Sequence, residues 1–190
     1  MPCWPAGRRV TPPEATSRDS GRDSGQDVGQ DSGLEPAAEP SGEAAHFRAL
    51  ERLYDSAPIN RLFPSRLRLP SAGLARIDFT VDPAHFHAAG AAHGTLYFKM
   101  MDDAAFYAAN SLVSDRFLLT TAFNLLFTRP LHPGPIVAEG RWLSGKRRVF
   151  VAEARLIDGD GEEVGRGTGT FMRSTIPLAS LPGYAGRETE

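Results

Sequence analysis

The 190-residue chain is long enough for one ordinary domain, and its hydrophobic residues, 41% of the total, are unevenly distributed. Residues 1–45 hold four basic and eight acidic residues, which leaves 17 basic and 15 acidic residues in the rest of the chain. This nearly neutral remainder lacks the clustered basic face of a nucleic-acid-binding protein, and no apolar run approaches the 18 residues of a membrane-spanning helix.

The first 45 residues are polar and glycine-rich, with a four-residue repeat that reads RDSG-RDSG-QDVG-QDSG. Such a segment cannot bury a core, so we predict a disordered leader over 1–45, a folded domain over 46–178 and a flexible tail over 179–190. The single Cys3 excludes a disulfide framework, and the N-terminus lacks the apolar centre of a signal peptide. A cytoplasmic location is predicted.

The elements of the folded part follow from hydrophobic periodicity. Apolar residues at helical spacing predict a helix that ends near Pro58, and strict alternation predicts an antiparallel strand over 75–81. A long apolar helix follows over about 94–112. Alternating apolar residues then predict four strands. In the first strand the odd-numbered residues 117–127 are expected to share one face, and the last strand follows the hairpin signal DGDG. The order predicts an α+β domain whose antiparallel sheet packs on the long helix.

Two adjacent aspartates, Asp102 and Asp103, interrupt the long helix. On a helical wheel Asp103 falls with Lys99 and Asn110 on the polar side, which predicts a solvated ion pair of little energetic value. Asp102 falls at the border of the apolar arc, beside Phe98 and Phe106. Poor solvation there would raise its pKa and make it a usable base, although a structural hydrogen-bonding role is equally compatible with the wheel.

The start of the same helix, at Gly94, offers a second chemical group. Free backbone N–H groups at a helix N-terminus stabilise a developing oxyanion, and glycine lets a substrate approach the main chain. Gly94 and Asp102 are eight residues apart, about 12 Å along a helix at 1.5 Å per residue. They cannot serve one carbonyl within a single helix, so we predict a site shared between two subunits.

These residues carry a resemblance to a known family. From roughly 47 to 173 the chain resembles the hot-dog-fold thioesterases of the phenylacetate-pathway (PaaI-like) type. In that family a loop runs into His-Gly-Gly, with an acidic residue nine positions after the histidine. His93, Gly94 and Asp102 match that spacing, and FNLLFTRPLHPG and GTGTFM match the family's second half.

The resemblance implies a dimeric hot-dog fold, an antiparallel sheet wrapped around one long central helix, with acyl-coenzyme A (acyl-CoA) as substrate. It implies a homodimer or a dimer of dimers, with no cofactor and no metal. Asp102 would be the base or nucleophile, the Gly94 N–H the oxyanion donor, and His93 would shape the helix entry. Two positions depart from the family: Thr95 replaces the second glycine, and His87 replaces a loop asparagine. Both are expected to bind the substrate.

Further residues are predicted to bind the substrate. Tyr97, Phe98 and Phe106 are expected to line an acyl pocket. Arginine side chains bind phosphates well, so three residues are candidates for binding the phosphates of coenzyme A: Arg129, Arg147 and Arg148. A solvated surface charge is the simpler explanation for each of them.

Three other hypotheses remain beside acyl-CoA hydrolysis. A non-catalytic acyl-CoA-binding protein, acting as a sensor or an assembly partner, is favoured by the departures at Thr95 and His87. A hot-dog dehydratase would need a histidine and a carboxylate at one substrate carbon, and the sequence offers no clear pair. A metal site at His85, His87 and His93 lacks supporting thiolates.

Overall fold

The computed structural model describes residues 42–186, so the predicted leader lies outside the described residues except for its last four positions. Those four belong to helix α1, Gly42–Ser56, which a short 3₁₀ helix, Pro58–Arg61, follows. Two strands come next, β1 (Arg66–Ser71) and β2 (Leu74–Val81), and then the long helix α2, Gly94–Asn110. Four further strands complete the sheet: β3 (Arg116–Phe127), β4 (Gly134–Ser144), β5 (Val149–Ile157) and β6 (Glu163–Pro177).

The six strands form one antiparallel sheet in the order β1-β2-β4-β5-β6-β3, and α2 packs against it. This confirms the predicted α+β architecture. The sequence analysis missed β1, a short strand in which only four residues alternate before Pro70, and it placed the end of α2 two residues too late. The turn predicted at 158–161 joins β5 to β6, with Gly161 in the left-handed region at φ 84°.

The helix and the sheet approach each other through small residues. The α2 residues Ala104, Ala105 and Ala108 are fully buried, and Gly140 of β4 faces them. A Cβ atom at Gly140 would lie 2.0 Å from the Ala104 carbonyl oxygen. Backbone therefore packs directly on backbone at this point, and only glycine fits there.

A β-bulge divides β3 into two halves. Thr120 pairs with Phe171 and Ala122 with Thr170, so Thr121 is an extra residue in the ladder. The predicted single face over 117–127 is therefore wrong, because an extra residue reverses the alternation. Before the bulge Leu118 and Thr120 reach α2, and after it Phe123 does.

The C-terminal part of the described chain packs on α1. Residues 178–180 form a 3₁₀ turn and Pro182–Ala185 form the short helix α3, so part of the segment predicted to be a tail is helical. The Tyr184 hydroxyl lies 2.8 Å from Nδ1 of His46, whose Nε2 donates to the carbonyl oxygen of Asn110 at 3.3 Å. These contacts hold α1 and α3 against the C-terminal end of α2. Among the described residues, no helix is both long enough and apolar enough to cross a membrane.

Candidate active site

His93 caps the N-terminus of α2. Its Nδ1 accepts a hydrogen bond from the Thr95 N–H at 3.1 Å and lies 3.0 Å from the Thr95 hydroxyl, while its carbonyl oxygen accepts from the Leu96 N–H. The described residues provide no acceptor for the Gly94 N–H. This N–H is therefore a free donor at the positive end of the helix, where a negatively charged oxygen is stabilised.

A cavity of about 450 Å³ opens at this helix terminus, and we call it the Gly94 cavity. Within it His87 accepts a hydrogen bond at Nδ1 from the Ala89 N–H, so the neutral ring carries its proton on Nε2. The Tyr97 hydroxyl donates to the carbonyl oxygen of Arg129 at 2.8 Å and fixes the cavity wall. The full lining is His87, Ala91, Ala92, Gly94, Tyr97, Phe127, Thr128, Arg129 and Pro130.

A second cavity of about 270 Å³, the Asp102 cavity, lies beside the middle of α2. Both adjacent aspartates border it. Thr120 of β3 donates to the Asp102 carboxylate, at 3.1 Å to Oδ1 and 3.3 Å to Oδ2. The full lining is Tyr54, Ala57, Ile59, Asn60, Asp102, Asp103, Phe106, Tyr107, Phe117, Leu118, Leu119 and Thr120.

Asp102 is poorly solvated, as predicted. Burial raises the pKa of its carboxyl from 3.8 to about 6, and the negative charge of Asp103 adds to the rise. The Thr120 hydrogen bond and the more distant Lys99 ammonium lower this pKa in part. A carboxylate with a pKa near 6 is mostly ionised at neutral pH and accepts protons more readily than an ordinary aspartate.

Asp103 is not solvated, and this prediction was wrong. Its side chain is only 21% exposed and forms an ion pair with Lys99, which is only 12% exposed. The wheel treated this side of α2 as wet, but α1 and the 3₁₀ helix cover it. Asn110, predicted on the same side, is completely buried for a similar reason, because the start of β3 folds over it.

The two cavities share no lining residue, so one chain does not bring Gly94 and Asp102 together. Each cavity contains one chemically distinct group: a free N–H donor in the first and a poorly solvated carboxylate in the second. This separation is what the eight-residue spacing predicts.

The aromatic and threonine candidates occupy different places. Phe106 lines the Asp102 cavity, whereas Phe98 is 43% exposed and packs edge-on against Phe123, with ring centroids 5.8 Å apart. Thr95 is exposed and bonded to His93, and it lines neither cavity.

Of the three arginines, only Arg129 lines a cavity, where it also forms an ion pair of 3.0 Å with Glu162. Arg147 and Arg148 are exposed in the turn between β4 and β5 and line neither cavity. His85 caps a short turn by accepting from the Asp82 N–H, and the described residues contain no group of three or more possible metal ligands.

Sequence reasoning missed three members of the site: Thr120, Tyr54 and Tyr107. Thr120 stands at the bulge, which no turn residue announces in the sequence. Tyr54 comes from α1, and its approach to α2 depends on tertiary packing. Tyr107 lies on α2 itself, where no motif distinguishes it from the other aromatic residues.

Known proteins of similar sequence and structure agree with this fold. Residues 89–165, less than half of the chain but including Gly94 and Asp102, match the family model described as the thioesterase superfamily. The PaaI protein of the Escherichia coli phenylacetic acid degradation operon superposes with a TM-score of 0.65 at 18% identity, over 70% of this chain and 96% of that one. The resemblance to hot-dog thioesterases is confirmed.

Two further proteins, one similar in structure and one in sequence, support the comparison. A thioesterase family protein from Silicibacter pomeroyi has a TM-score of 0.60 at 24% identity, over 66% of this chain and 97% of its own. A protein of Saccharolobus solfataricus named as a putative esterase is 26% identical over 53% of this chain and 67% of its own length. The structures establish the hot-dog fold, and the family and esterase matches support hydrolysis of a thioester or ester in general.

Proposed function

We propose that this hot-dog protein hydrolyses acyl-CoA thioesters at a site formed by two subunits. The observation that carries the proposal is the separation of a free Gly94 N–H and a poorly solvated Asp102 into two cavities of one chain. A second copy, related by a two-fold axis, brings the Gly94 cavity of one subunit to the Asp102 cavity of the other.

The exposed edge of the sheet supports such a dimer. β3 is the terminal strand of the sheet, and it exposes large apolar side chains that a monomer leaves in water. Leu119 is 47% exposed, Leu126 66% and Phe127 57%, and Phe98 of α2 lies beside this strand. These residues flank both cavities, so a contact over this edge would join the two halves of the site.

In the proposed reaction the thioester carbonyl oxygen accepts a hydrogen bond from the Gly94 N–H, which His93 leaves free by capping Thr95. The Asp102 carboxylate takes a proton from a water molecule as the water oxygen attacks the carbonyl carbon. The carbon–sulfur bond then breaks, the protonated Asp102 gives its proton to the leaving sulfur, and the thiol of coenzyme A and the free acid leave. Alternatively, the carboxylate attacks directly, and water hydrolyses the resulting mixed anhydride.

The test is release of free thiol from short, medium and aromatic acyl-CoAs by the full chain. Asp102→Asn should lower kcat about a thousandfold, since a positioned base typically contributes factors of that order. The matched control is Asp78→Asn, on the outer face of the sheet. Acyl-CoA that binds without turnover in the wild-type protein would favour the non-catalytic alternative instead.

Gly94 offers a matched pair of variants. Gly94→Ala keeps the N–H, and its Cβ would meet only the Phe127 ring, at 3.4 Å. Gly94→Pro removes the N–H and suits the first position of a helix, because His93 before it is already extended, with φ −68° and ψ 146°. We expect the proline variant to lose turnover and the alanine variant to keep most of it.

Mixing two inactive variants tests whether subunits share the site. In a dimer assembled from equal amounts of Asp102→Asn and Gly94→Pro chains, half of the molecules contain one intact site. About one quarter of wild-type activity should therefore return. If each chain carried a complete site, every site in the mixture would be defective and no activity would return.

A further inference from the structure

A buried polar cluster lies directly behind the Asp102 cavity. Asp103 pairs with Lys99, and the Lys99 ammonium also donates to the side-chain oxygen of Asn60 at 2.7 Å. Asn60, in the 3₁₀ helix, donates in turn to the Tyr54 carbonyl oxygen at 2.6 Å. The ammonium also stands 5.0 Å from the centroid of the Tyr54 ring. Asp103 is thus part of a fixed network and not a mobile surface charge.

This cluster adjoins Asp102 closely enough to act on it. The two aspartates are adjacent in sequence, and both line the same cavity. Like charges in such an environment repel each other strongly, since little water screens them. Lys99 lies one turn before Asp103 and attracts both carboxylates.

Few other groups face Asp102. Its own helix also contributes Tyr107 to the cavity, and α1 contributes Tyr54; burial raises the pKa of both phenols, so both are neutral at physiological pH. The lining from the 3₁₀ helix and β3 contains no charged side chain among the described residues. Within one subunit, Asp103 and Lys99 are therefore the charges that act on Asp102.

We propose that Asp103 is a positioning residue: its buried charge, held in place by Lys99, keeps the neighbouring Asp102 basic enough to accept a proton during turnover. The inference rests on the proposed function of Asp102. Asp103 itself contacts the network and not the reacting atoms.

The two charges act on Asp102 in opposite directions, and this makes the proposal testable. Asp103 raises the pKa of Asp102, Lys99 lowers it, and the effect of Asp103 is the larger. Removing Asp103 alone should therefore lower the pKa of Asp102 more than removing both charges does. A purely structural ion pair predicts no such order.

The variants are Asp103→Asn and the double variant Lys99→Met/Asp103→Asn, with Asp78→Asn as control. In Asp103→Asn the amide keeps the shape of the side chain, and Lys99 still binds Asn60. The double variant removes both buried charges at similar volume, a change that proteins often tolerate well. If the single variant folds poorly, the double variant alone still tests the proposal, because its midpoint should lie below that of the wild type.

Two readouts are measured on the full chain. The first is the pH dependence of kcat/KM for a turned-over acyl-CoA. The second is the carboxyl carbon resonance of Asp102, assigned through Asp102→Asn in protein labelled with ¹³C-aspartate, which follows its titration without any activity. We expect the acidic limb and the resonance midpoint to fall by about one pH unit in Asp103→Asn and by less in the double variant.

An unchanged or higher midpoint in Asp103→Asn would overturn the inference, and so would a larger fall in the double variant than in the single one. Failure of the proposed function looks different: Asp102→Asn would then retain turnover while the resonance of Asp102 still shifted in Asp103→Asn. The two proposals can therefore fail separately.

Discussion

The hydroxyl of Thr120 donates to both carboxylate oxygens of Asp102, at 3.1 and 3.3 Å, and links β3 to the central helix. Thr120 is the last paired residue before the bulge at Thr121, and ordinary alternation places it on the same side of β3 as the buried Leu118. The bond favours the ionised carboxylate and opposes the effect of burial. Thr120 therefore moderates the basicity of Asp102.

Replacing Thr120 should change the pH profile in a defined direction. Thr120→Val keeps the shape and removes the hydrogen bond, so the pKa of Asp102 should rise above about 6. The acidic limb of kcat/KM should then move to higher pH, while Thr120→Ser, which keeps a hydroxyl, should leave it nearly in place. A limb that moves down in the valine variant would contradict this account.

Asp102 should also make the stability of the protein depend on pH. Its pKa of about 6 is raised from 3.8, so its contribution to stability is fully present below about pH 4 and is lost as the pH rises through 6. Asp102→Asn avoids this loss. We expect the variant to be more stable than the wild type by about 2 kcal/mol near pH 7 and equally stable near pH 4, as measured by urea unfolding. Equal stability at both pH values would show that the carboxylate is well solvated.

Gly140 should tolerate no side chain. An added Cβ would lie 2.0 Å from the Ala104 carbonyl oxygen, and both atoms belong to rigid backbone. Gly140→Ala should therefore lower the free energy of unfolding by about 3 kcal/mol or prevent folding. Gly42→Ala is the control, since its Cβ would meet nothing within 4 Å. A small effect at Gly140 would mean that helix and sheet separate easily.

Asn110 should be essential to the end of α2. Its Oδ1 accepts from the Leu118 N–H at 3.0 Å, and its Nδ2 donates to the carbonyl oxygens of Val113 and Arg116 at 3.1 and 3.2 Å. Asn110→Ala leaves these buried groups unpaired and should cost about 3 kcal/mol in thermal or urea unfolding.

Asn110→Asp separates the two halves of this interaction. It keeps the acceptor for Leu118 but turns a carboxylate oxygen towards the two carbonyl oxygens, so the loss should be largest at neutral pH and smaller when the acid is protonated. Ser114→Ala, at an exposed position nearby, should change little.

Local pattern was sufficient for most of the fold. The alternation in β2 and the apolar run of α2 identified both elements, and the spacing of Gly94 and Asp102 predicted that one chain keeps them apart. Periodicity could not reveal the bulge at Thr121, because one extra residue changes the face without changing the composition.

The environment of Asp103 shows the other limit of the sequence. Its spacing from Lys99 identified an ion pair correctly, but a helical wheel shows only which residues share a side. Whether that side is wet depends on what packs there, and here the Tyr54 ring comes from α1, about 50 residues earlier in the chain. Burial of one helix face by a distant part of the chain cannot be predicted from the residues of that helix alone.

The N-terminal helix has a consequence for how the two neighbouring acids divide their tasks. The Tyr54 ring of α1 packs against the Lys99 ammonium that pairs with Asp103, while Asp102 accepts its hydrogen bond from the neutral Thr120 hydroxyl. Without α1, the pair of Asp103 and Lys99 on the central helix would lose the Tyr54 ring that covers it. Helix α1 thus helps to hold Asp103 in the scaffold and leaves Asp102 available to a ligand.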